Sequence, residues 1–289
     1  MWFFYSIVFA LVSSVGPIIA KKVMAQTGEY IYIWLASIFT LPFLFFSIVF
    51  FYQIPRFDQI FLWSVAGTVF LDVVAAILAY KAIKISEISL IAPLAAFNPV
   101  FTAIISFFTL GEILSIKDLI SVLIICIGAY TLQISSAKKG LLDPVKNLIS
   151  NKGVQYSMIA YLIWAITPTL QKTAIGHTYP QIPPFASFAG LLGTTILYSL
   201  MNAKLSKNKL IFVREYFLIF IIVGILGTIA SISAFTAFSL ANLAQVTAIF
   251  KLSMIFSVIF GWLFFKEPDI KNKLIGSSIM LLGVYLLSI

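Results

Sequence analysis

The chain has 289 residues, of which 61% are apolar and only 10% are charged, and its mean hydropathy is +1.07. Soluble domains carry roughly 25% charged residues, so this composition excludes an ordinary water-soluble protein. A net charge of +9 would suit a nucleic-acid partner in a soluble protein, but here the positions of the lysines explain the charge better.

Apolar stretches of about 20 residues recur along the chain, and each can cross a hydrocarbon core of about 30 Å as a helix. We predict an all-α membrane protein with ten transmembrane helices. The predicted spans cover residues 2–20, 30–52, 60–80, 88–110, 119–136, 154–172, 182–201, 215–238, 243–265 and 272–289. The segments between them are too short to fold as soluble domains.

The basic residues fall mainly on alternate loops. Three of them, Arg56, Lys117 and Lys172, lie on one side of the predicted membrane, and fifteen lie on the other. The fifteen are Lys21, Lys22, Lys81, Lys84, Lys138, Lys139, Lys146, Lys152, Lys204, Lys207, Lys209, Arg214, Lys266, Lys271 and Lys273. Cytoplasmic loops carry an excess of Lys and Arg, so we expect a protein of the cell (inner) membrane with both termini outside the cytoplasm.

The chain contains an internal repeat. Residues 79–132 align with residues 234–287 without a gap and match at eleven positions. The pairs are Ala79–Ala234, Ala82–Ala237, Phe101–Phe256, Ile104–Ile259, Glu112–Glu267, Leu119–Leu274, Ile120–Ile275, Ile124–Ile279, Gly128–Gly283, Tyr130–Tyr285 and Leu132–Leu287. The first spans also match at a slightly different offset, through Ser6–Ser157, Pro17–Pro168 and Lys21–Lys172.

The repeat divides the chain into a first five-helix unit (1–137), a cytoplasmic linker (138–153) and a second five-helix unit (154–289). Because five is odd, the second unit must run through the bilayer in the opposite direction. We therefore predict two inverted five-helix repeats, an architecture typical of secondary transporters.

The residues at the ends of each half resemble the drug/metabolite transporter superfamily, in particular its EamA-like branch. The matching features are Trp164 followed eight residues later by Lys172, Gly111-Glu112 leading to Gly128, and Lys266-Glu267-Pro268 leading to Gly276 and Gly283. The first half departs from the pattern, with Ser13 where the Trp would stand. The resemblance implies transport of small organic metabolites, often outward, through a cavity between the halves.

Asp72 is the first candidate for a transport role. It lies about 18 Å along predicted span 3 at 1.5 Å per residue, near mid-membrane. A charge there costs about 2.5–3.5 kcal/mol, so the carboxylate needs a cavity or a partner. It would carry a proton, act as counter-ion to a substrate ammonium, form a structural ion pair, or stay neutral.

Lys251 is the second candidate, about 12 Å into predicted span 9. Its depth is close to that of Asp72, so a direct or a bridged pair is one possibility. The two charges would suit the ends of an amino-acid-like zwitterion. Alternatively, Lys251 extends to the membrane interface or only neutralises Asp72.

Further candidates lie on polar stripes at helical spacing. Thr68 shares a line with Asp72, and Thr247 shares one with Lys251, while Asn98 begins a stripe on span 4. Small and hydroxyl residues also serve as packing surfaces between helices, which is the alternative for each stripe. Tyr80 and Trp164 would stack on an aromatic substrate or anchor at the interface, and Lys172 is a further inward cation.

Prolines inside the spans remove a backbone donor and bend helices. We interpret Pro17, Pro99 and Pro168 either as hinges or as residues that only give their helices a fixed bend. Asn98-Pro99 is the best hinge candidate. We expect Glu112 and Glu267 to be turn carboxylates that pair with a lysine or cap a helix. His177, in a proline-rich loop, is expected to be simply exposed.

The chain has no phosphate-binding glycine loop, metal-binding Cys/His cluster or hydrolase motif, so we predict no enzyme, no cofactor and no metal site. We predict a secondary transporter of a small organic metabolite, amino-acid-like by preference, that works by alternating access, and the family resemblance implies transport in the outward direction. The cavity would lie chiefly between spans 1, 3, 4, 6, 8 and 9. The expected partners are the small-molecule substrate, the lipid bilayer and either a proton or a counter-substrate. The sequence does not decide between a monomer and a homodimer. Alternatives are a carrier of phosphorylated or nucleotide-sugar metabolites, a small-solute channel and a non-transporting membrane partner.

Overall fold

A computed structural model describes residues 1–27, 29–86, 88–135, 142–201, 215–265 and 270–289, and it is nearly all helical. The helices are α1 (Trp2–Thr27), α2 (Glu29–Phe51), α3 (Gln59–Ile85), α4 (Ile88–Ile91), α5 (Asn98–Leu110), α6 (Ile116–Ser135), α7 (Asp143–Ser150), α8 (Lys152–Gly176), α9 (Pro183–Met201), α10 (Phe217–Leu240), α11 (Leu243–Phe250), α12 (Leu252–Phe265) and α13 (Ile270–Ser288). A 3-10 segment (Ala92–Phe97) joins α4 to α5.

Seven helical stretches in the described residues are long and apolar enough to cross a membrane. They are Ile31–Phe51, Gln59–Ile85, Ala92–Leu110, Ile116–Gln133, Pro183–Met201, Phe217–Leu240 and Leu243–Gly261. Trp2–Gly16 and Lys273–Ser288 are shorter apolar stretches. Large side chains such as Phe50, Trp63 and Phe108 are exposed on these helices, as expected of a surface that contacts lipid rather than water.

Several helices extend beyond the predicted spans. Helix α3 ends at Ile85 rather than near residue 80, and α1 ends at Thr27 rather than near residue 20. The last turn of α3 includes Lys84, so the apolar pattern stops before the backbone hydrogen bonding does. In the linker, residues Asp143–Ser150 form the short helix α7, which the sequence analysis did not predict.

Two predicted spans, 88–110 and 243–265, are each divided into more than one helical segment. In the first, Pro93 and Pro99 lie at the starts of the 3-10 segment and of α5, where their missing N–H groups cost little. In the second, α11 ends at Phe250 and Lys251 is its C-cap. The ungapped repeat aligns Lys251 with Ala96, near the end of the 3-10 segment, so the breaks fall at matching places.

One end of the molecule carries a two-stranded antiparallel sheet, and we call it the sheet end. Strand β1 (Arg56–Phe57) pairs with β2 (Thr178–Tyr179). Beside it, His177 Nδ1 lies 2.7 Å from Asp58 Oδ2, and the Asp58 side chain caps α3 by accepting from Phe61 N at 3.1 Å. His177 is therefore partnered, contrary to the expectation, because folding brings two distant loops together.

The opposite end is marked by a contact between Ser86 and Asn151, and we call it the Ser86 end. The Ser86 hydroxyl donates to Asn151 Oδ1. The same oxygen caps α8 by accepting from Gly153 N at 2.9 Å and Val154 N at 3.2 Å. One asparagine thus starts α8 and holds the end of α3 against it.

Three long helix pairs build the interior: α3 packs along α8, α1 along α10, and α6 along α13. The α6–α13 pair depends on glycine, since a Cβ at Gly276 would lie 2.5 Å from Leu132 N. Small residues that let backbones approach are the usual means of packing helices in a membrane. Helix α8, with a buried face that includes Ser157 and Thr167, is central rather than lipid-facing.

Candidate functional site

A cavity of about 150 Å³ lies between α3, α8, α9 and α10, and we call it the polar cavity. Its lining residues are Thr68, Asp72, Gln171, Ser187, Gly190, Leu191, Thr194, Ser231 and Phe235. Polar side chains dominate this list, although the helices that carry them are strongly apolar. The predicted cavity included spans 3, 6 and 8, which are α3, α8 and α10, but it did not include α9, and residues of predicted spans 1, 4 and 9 do not line the polar cavity.

Asp72 lies midway along the 27-residue helix α3 and lines the polar cavity. Half of that length is about 20 Å of helix, which places the carboxyl near the middle of a bilayer. The Thr167 hydroxyl of α8 is within hydrogen-bonding reach of it. Asp72 is the one charged side chain among the lining residues.

Thr68 lies one turn before Asp72 on the same face of α3. Its side chain is 4% exposed, and among the described residues its Oγ1 has no hydrogen-bond partner. A buried hydroxyl without a partner costs about 1–3 kcal/mol, so most such groups in proteins are paired. Thr68 therefore offers an unused donor and acceptor to the polar cavity.

Lys251 lies at the break between α11 and α12, where its backbone N–H donates to Ala248 O at 3.0 Å. Its side chain is near Cys126 of α6 and is half-buried. The described residues contain no ion pair between Lys251 and Asp72. A direct pair, considered from their similar depth, is therefore not formed, because the two helices turn these side chains toward different neighbours.

Asn98 and Trp164 are near each other through Tyr161. The Asn98 side-chain amide donates to Tyr161 O at 3.2 Å, which connects the first residue of α5 to α8. The rings of Tyr161 and Trp164 have centroids 6.0 Å apart. Asn98 thus holds the broken span of the first half against a helix of the second.

Thr247 and Tyr80 are engaged locally. The Thr247 hydroxyl donates within its own helix, to Leu243 O at 2.8 Å and Ala244 O at 3.2 Å. The Lys84 ammonium lies 4.6 Å from the centroid of the Tyr80 ring. Neither residue lines the polar cavity.

The three predicted hinge prolines differ in their positions. Pro99 is buried and follows the 3-10 segment at the start of α5, so it lies at a real interruption. Helix α8 continues through Pro168. Helix α1 continues through position 17, while the side chain of Pro17 lies outside the described residues.

A second cluster of polar groups joins the two halves at the sheet end, and we call it the lock. Lys172 Nζ lies 2.6 Å from Glu112 Oε1 and also donates to Ala241 O at 2.6 Å. Glu112 Oε2 accepts from Leu243 N at 2.8 Å, at the first residue of α11. The carboxylate thus meets a cation and a helix N-terminus together, both of which stabilise negative charge.

The local sequence positions Glu112 for this contact. Gly111, the C-cap of α5, has a φ of 66°, a left-handed conformation that suits glycine and turns the chain sharply. Glu112 therefore pairs with a lysine and caps a helix, as expected from its place in a turn. Lys172 is held in this pair rather than available as a separate inward cation. The matching Glu267 lies outside the described residues.

The sequence analysis missed the α9 and α8 residues of the polar cavity. Ser187, Leu191 and Thr194 follow a spacing of four and three along α9, which is one helix face. That spacing was a usable signal. Gln171, adjacent to Lys172, carried no signal beyond its polarity.

Comparisons with known proteins agree with this architecture. The chain resembles a solved structure described only as the crystal structure of a protein, with a TM-score of 0.76, 11% identity, and coverage of 99% of this chain and 95% of that one. At that identity the likeness shows the fold alone. No curated protein matches the sequence.

A family model matches the chain twice, over residues 1–133 and again over residues 151–289. The two matches cover nearly the whole chain and confirm the resemblance seen in the sequence. Each half therefore carries the pattern of the same family. The chain belongs to the EamA-like transporter family.

Proposed function

We propose that the protein is a secondary transporter that exports a small organic metabolite, amino-acid-like by preference, by alternating access. Membership of a family of membrane transporters supports transport of a small solute. The observation that carries the proposal further is the polar cavity, with Asp72 at mid-membrane depth. An ionisable residue inside a membrane is a marker of a substrate or ion pathway.

The proposed topology has ten spans in two inverted halves. In addition to the seven stretches of sufficient length, α1, α8 and α13 would also cross the membrane. The contacts between loops support this count, because loops 53–58 and 177–182 meet at the sheet end while Ser86 and Asn151 meet at the other. The fifteen basic residues predicted to share one side of the membrane include Lys81, Lys84 and Lys152, which lie at or near the Ser86 end, so that end would face the cytoplasm of the cell (inner) membrane. Both termini would then lie outside.

Alternating access is supported by a difference between the two ends. At the sheet end, α5 packs against α11 and the lock connects them. Within the described residues, α12 does not make a comparable contact with α4 or the 3-10 segment. We propose that this arrangement is closed toward the outside, and that opening the lock and bending at Asn98-Pro99 give the other state.

Asp72 would bind the substrate or the coupling ion, and Thr68 would assist it. Lys251 lies at the break of a span, where half-helix ends coordinate substrates or ions in other secondary transporters. We assign it a part in binding or coupling that does not require contact with Asp72. Thr247, Trp164 and Tyr80 remain proposed contributors to the pathway. Pro17 and Pro168 remain proposed hinges.

A carrier of phosphorylated or nucleotide-sugar metabolites would require a second free cation beside the substrate. Lys172, which would have supplied it, is bound to Glu112 at 2.6 Å. No observation therefore favours this alternative. A channel and a non-transporting partner are outcomes of the test below.

The test is uptake into proteoliposomes of labelled amino acids and related metabolites, with and without an imposed pH gradient. We expect saturable uptake with counterflow for the wild type and for Lys117→Gln, which changes an exposed lysine at the sheet end. Unsaturating flux would instead indicate a channel, and no flux from folded protein would indicate a partner. Wild-type rates in both Asp72→Asn and Lys251→Ala would contradict the roles assigned to these residues.

A further inference from the structure

We infer that the polar cavity is a binding site for a primary ammonium group, with Asp72 as its counter-ion and Thr68 as a second acceptor. The inference rests on the proposed function for its biological meaning, since the ammonium would belong to the transported solute. It deepens that proposal by naming the atoms that recognise one end of the solute.

The charge of the polar cavity favours a cationic ligand. Asp72 is the one charged group among the residues lining the cavity, and the described residues give it no ion pair. A carboxylate halfway through a membrane is unfavourable until something neutralises it. A cation entering the cavity would do so, whereas an anion would be repelled.

The hydrogen-bond acceptors in the polar cavity suit a primary ammonium group. A primary ammonium has three N–H donors and no acceptor, so it needs oxygen atoms with free lone pairs. The Asp72 carboxylate and the unpartnered Thr68 Oγ1 are one helical turn apart. The Thr194 hydroxyl uses its proton toward Gly190 O at 3.1 Å and Leu191 O at 3.0 Å, which leaves its oxygen free to accept.

The walls of the polar cavity suit an organic ammonium better than a bare metal cation. A metal ion prefers to be surrounded by oxygen ligands. Here Phe235 and Leu191 occupy part of the wall, and an aromatic ring is a favourable neighbour for an ammonium group. At about 150 Å³ the cavity also has room for the carbon atoms attached to the nitrogen.

A second cavity, of about 120 Å³, provides an internal reference. It lies between α1 and α10, and we call it the apolar cavity. Its lining residues Val223 and Gly227 correspond to Thr68 and Asp72 when the offset of the repeat is continued upstream of residue 79. Neither position carries a carboxylate or a hydroxyl, and Ser13 is the one polar side chain among the lining residues, so we expect no cation to bind there.

The experiment measures thermal unfolding of the purified full-length protein in nanodiscs as n-propylammonium chloride is titrated at constant ionic strength. A ligand that binds only the folded state raises Tm with its concentration. We expect a saturable rise in the wild type that is lost in Asp72→Asn. In Thr68→Val the half-saturating concentration should increase about three- to tenfold, as for the loss of one typical hydrogen bond. The matched control Val223→Thr, in the apolar cavity, should respond like the wild type.

Stability without ligand gives an independent check. Since the Thr68 hydroxyl has no partner, Thr68→Val should unfold at or above the wild-type temperature when no ammonium is present. A variant that is more stable when empty but binds more weakly cannot be explained by misfolding. Marked destabilisation of the empty Thr68→Val protein would overturn the assignment of Thr68 as a free acceptor.

Three other results would overturn the inference. They are an equal rise in Tm with sodium chloride, an equal rise with neutral 1-propanol, and an undiminished response in Asp72→Asn. Failure of the proposed function would give a different result. Ammonium binding without any transport would contradict the proposed transport function but would leave this binding site in place. Transport without ammonium binding would remove the site alone.

Discussion

The polar cavity lies between α3 and the helices α8, α9 and α10, whereas the apolar cavity lies between α1 and α10, and only the polar cavity is lined by a charged side chain. Asp72 and Thr68 in α3 correspond to Gly227 and Val223 in α10 when the offset of the repeat is continued upstream of residue 79. Position 227 has no room for a side chain, since a Cβ there would lie 2.5 Å from Thr40 Oγ1 of α2. At Gly190, in the polar cavity, a Cβ would meet nothing within 4 Å.

This difference teaches that duplication provides the helical frame but does not provide the site. A frame can be built twice from apolar and small residues, because packing is satisfied by shape. A buried charge is costly wherever it is placed, so one copy in the cavity is sufficient and a second would add cost without a ligand to offset it. Four experiments test how the cavities and the ends of the molecule differ.

The largest effect is expected from Asp72→Asn. The substitution keeps the size of the side chain and removes its charge, so the charged hydrogen bond to the solute is lost. Such bonds contribute about 1.5–3 kcal/mol, which corresponds to a loss of roughly 10- to 150-fold in transport efficiency. Initial uptake rates over a range of substrate concentrations measure it.

The control for this experiment is Val223→Thr, which adds a hydroxyl in the apolar cavity and should transport at the wild-type rate. If Val223→Thr impaired uptake as strongly as Asp72→Asn, the two cavities would not differ in function and the comparison would collapse.

The second effect concerns the two glycines. Gly227→Ala should destabilise the protein by about 1–3 kcal/mol, because Thr40 must shift and its hydroxyl already donates to Ala36 O at 2.8 Å. Gly190→Ala should leave stability unchanged or slightly raised, since alanine favours helix and nothing obstructs it.

Thermal unfolding of the two alanine variants in the same nanodiscs measures this contrast. Uptake of larger solutes by Gly190→Ala should fall, because the methyl group occupies part of the polar cavity. Equal destabilisation by both substitutions would show that the polar cavity is closed around Gly190.

The third effect tests the lock. Glu112→Ala removes the partner of Lys172 and the cap of α11, and we expect it to weaken closure of the sheet end by about 1–2 kcal/mol. Spin labels at exposed Ile113 and Leu240, in a Cys126→Ala background, would report longer distances between the halves. Lys117→Met, which removes an exposed charge at the same end, should leave them unchanged.

Exchange of the two charges sharpens this test. Glu112→Lys combined with Lys172→Glu restores opposite charges but places a cation against the N-terminus of α11, where positive charge is unfavourable. We therefore expect the exchanged protein to remain open. Full recovery of the short distances would show that the ion pair alone closes this end.

The smallest effect concerns acid. The hydrogen bond from His177, followed by that from Phe61 N, holds the pKa of Asp58 below its usual value of 3.8. A carboxyl with a lowered folded pKa stabilises the protein above about pH 4, and this contribution is lost as the pH falls through the folded pKa. In His177→Phe the stabilisation above pH 4 should therefore be smaller.

Measurement of Tm from pH 7 down to pH 3 tests this. The difference in Tm between the wild type and His177→Phe should be largest above pH 4 and should become smaller in acid. A gap that instead widened in acid would contradict the sign of the shift. The exposure of both side chains keeps the whole effect small.

The membrane-protein class, the family and the duplication could all be predicted from the amino-acid sequence. Apolar length and the spacing of Trp164, Lys172, Glu112 and the glycines are local properties, and bilayer thickness converts length directly into spans. The same local reasoning predicted that Asp72 lies midway along its helix, where the structure has it. It also predicted that Glu112 would pair with a lysine or cap a helix.

Contacts between residues far apart in the chain became visible only in the folded structure. The sequence could not show that Lys172 is held by Glu112, that Asp72 and Lys251 face different neighbours, or that His177 has a partner in a distant loop. It also missed the break at Lys251, where no proline marks the end of α11. Depth along a helix is fixed by residue count, whereas the direction a side chain faces depends on how distant helices pack. For this reason the depth of a residue along its helix was predictable from the sequence, whereas the neighbours of its side chain were not.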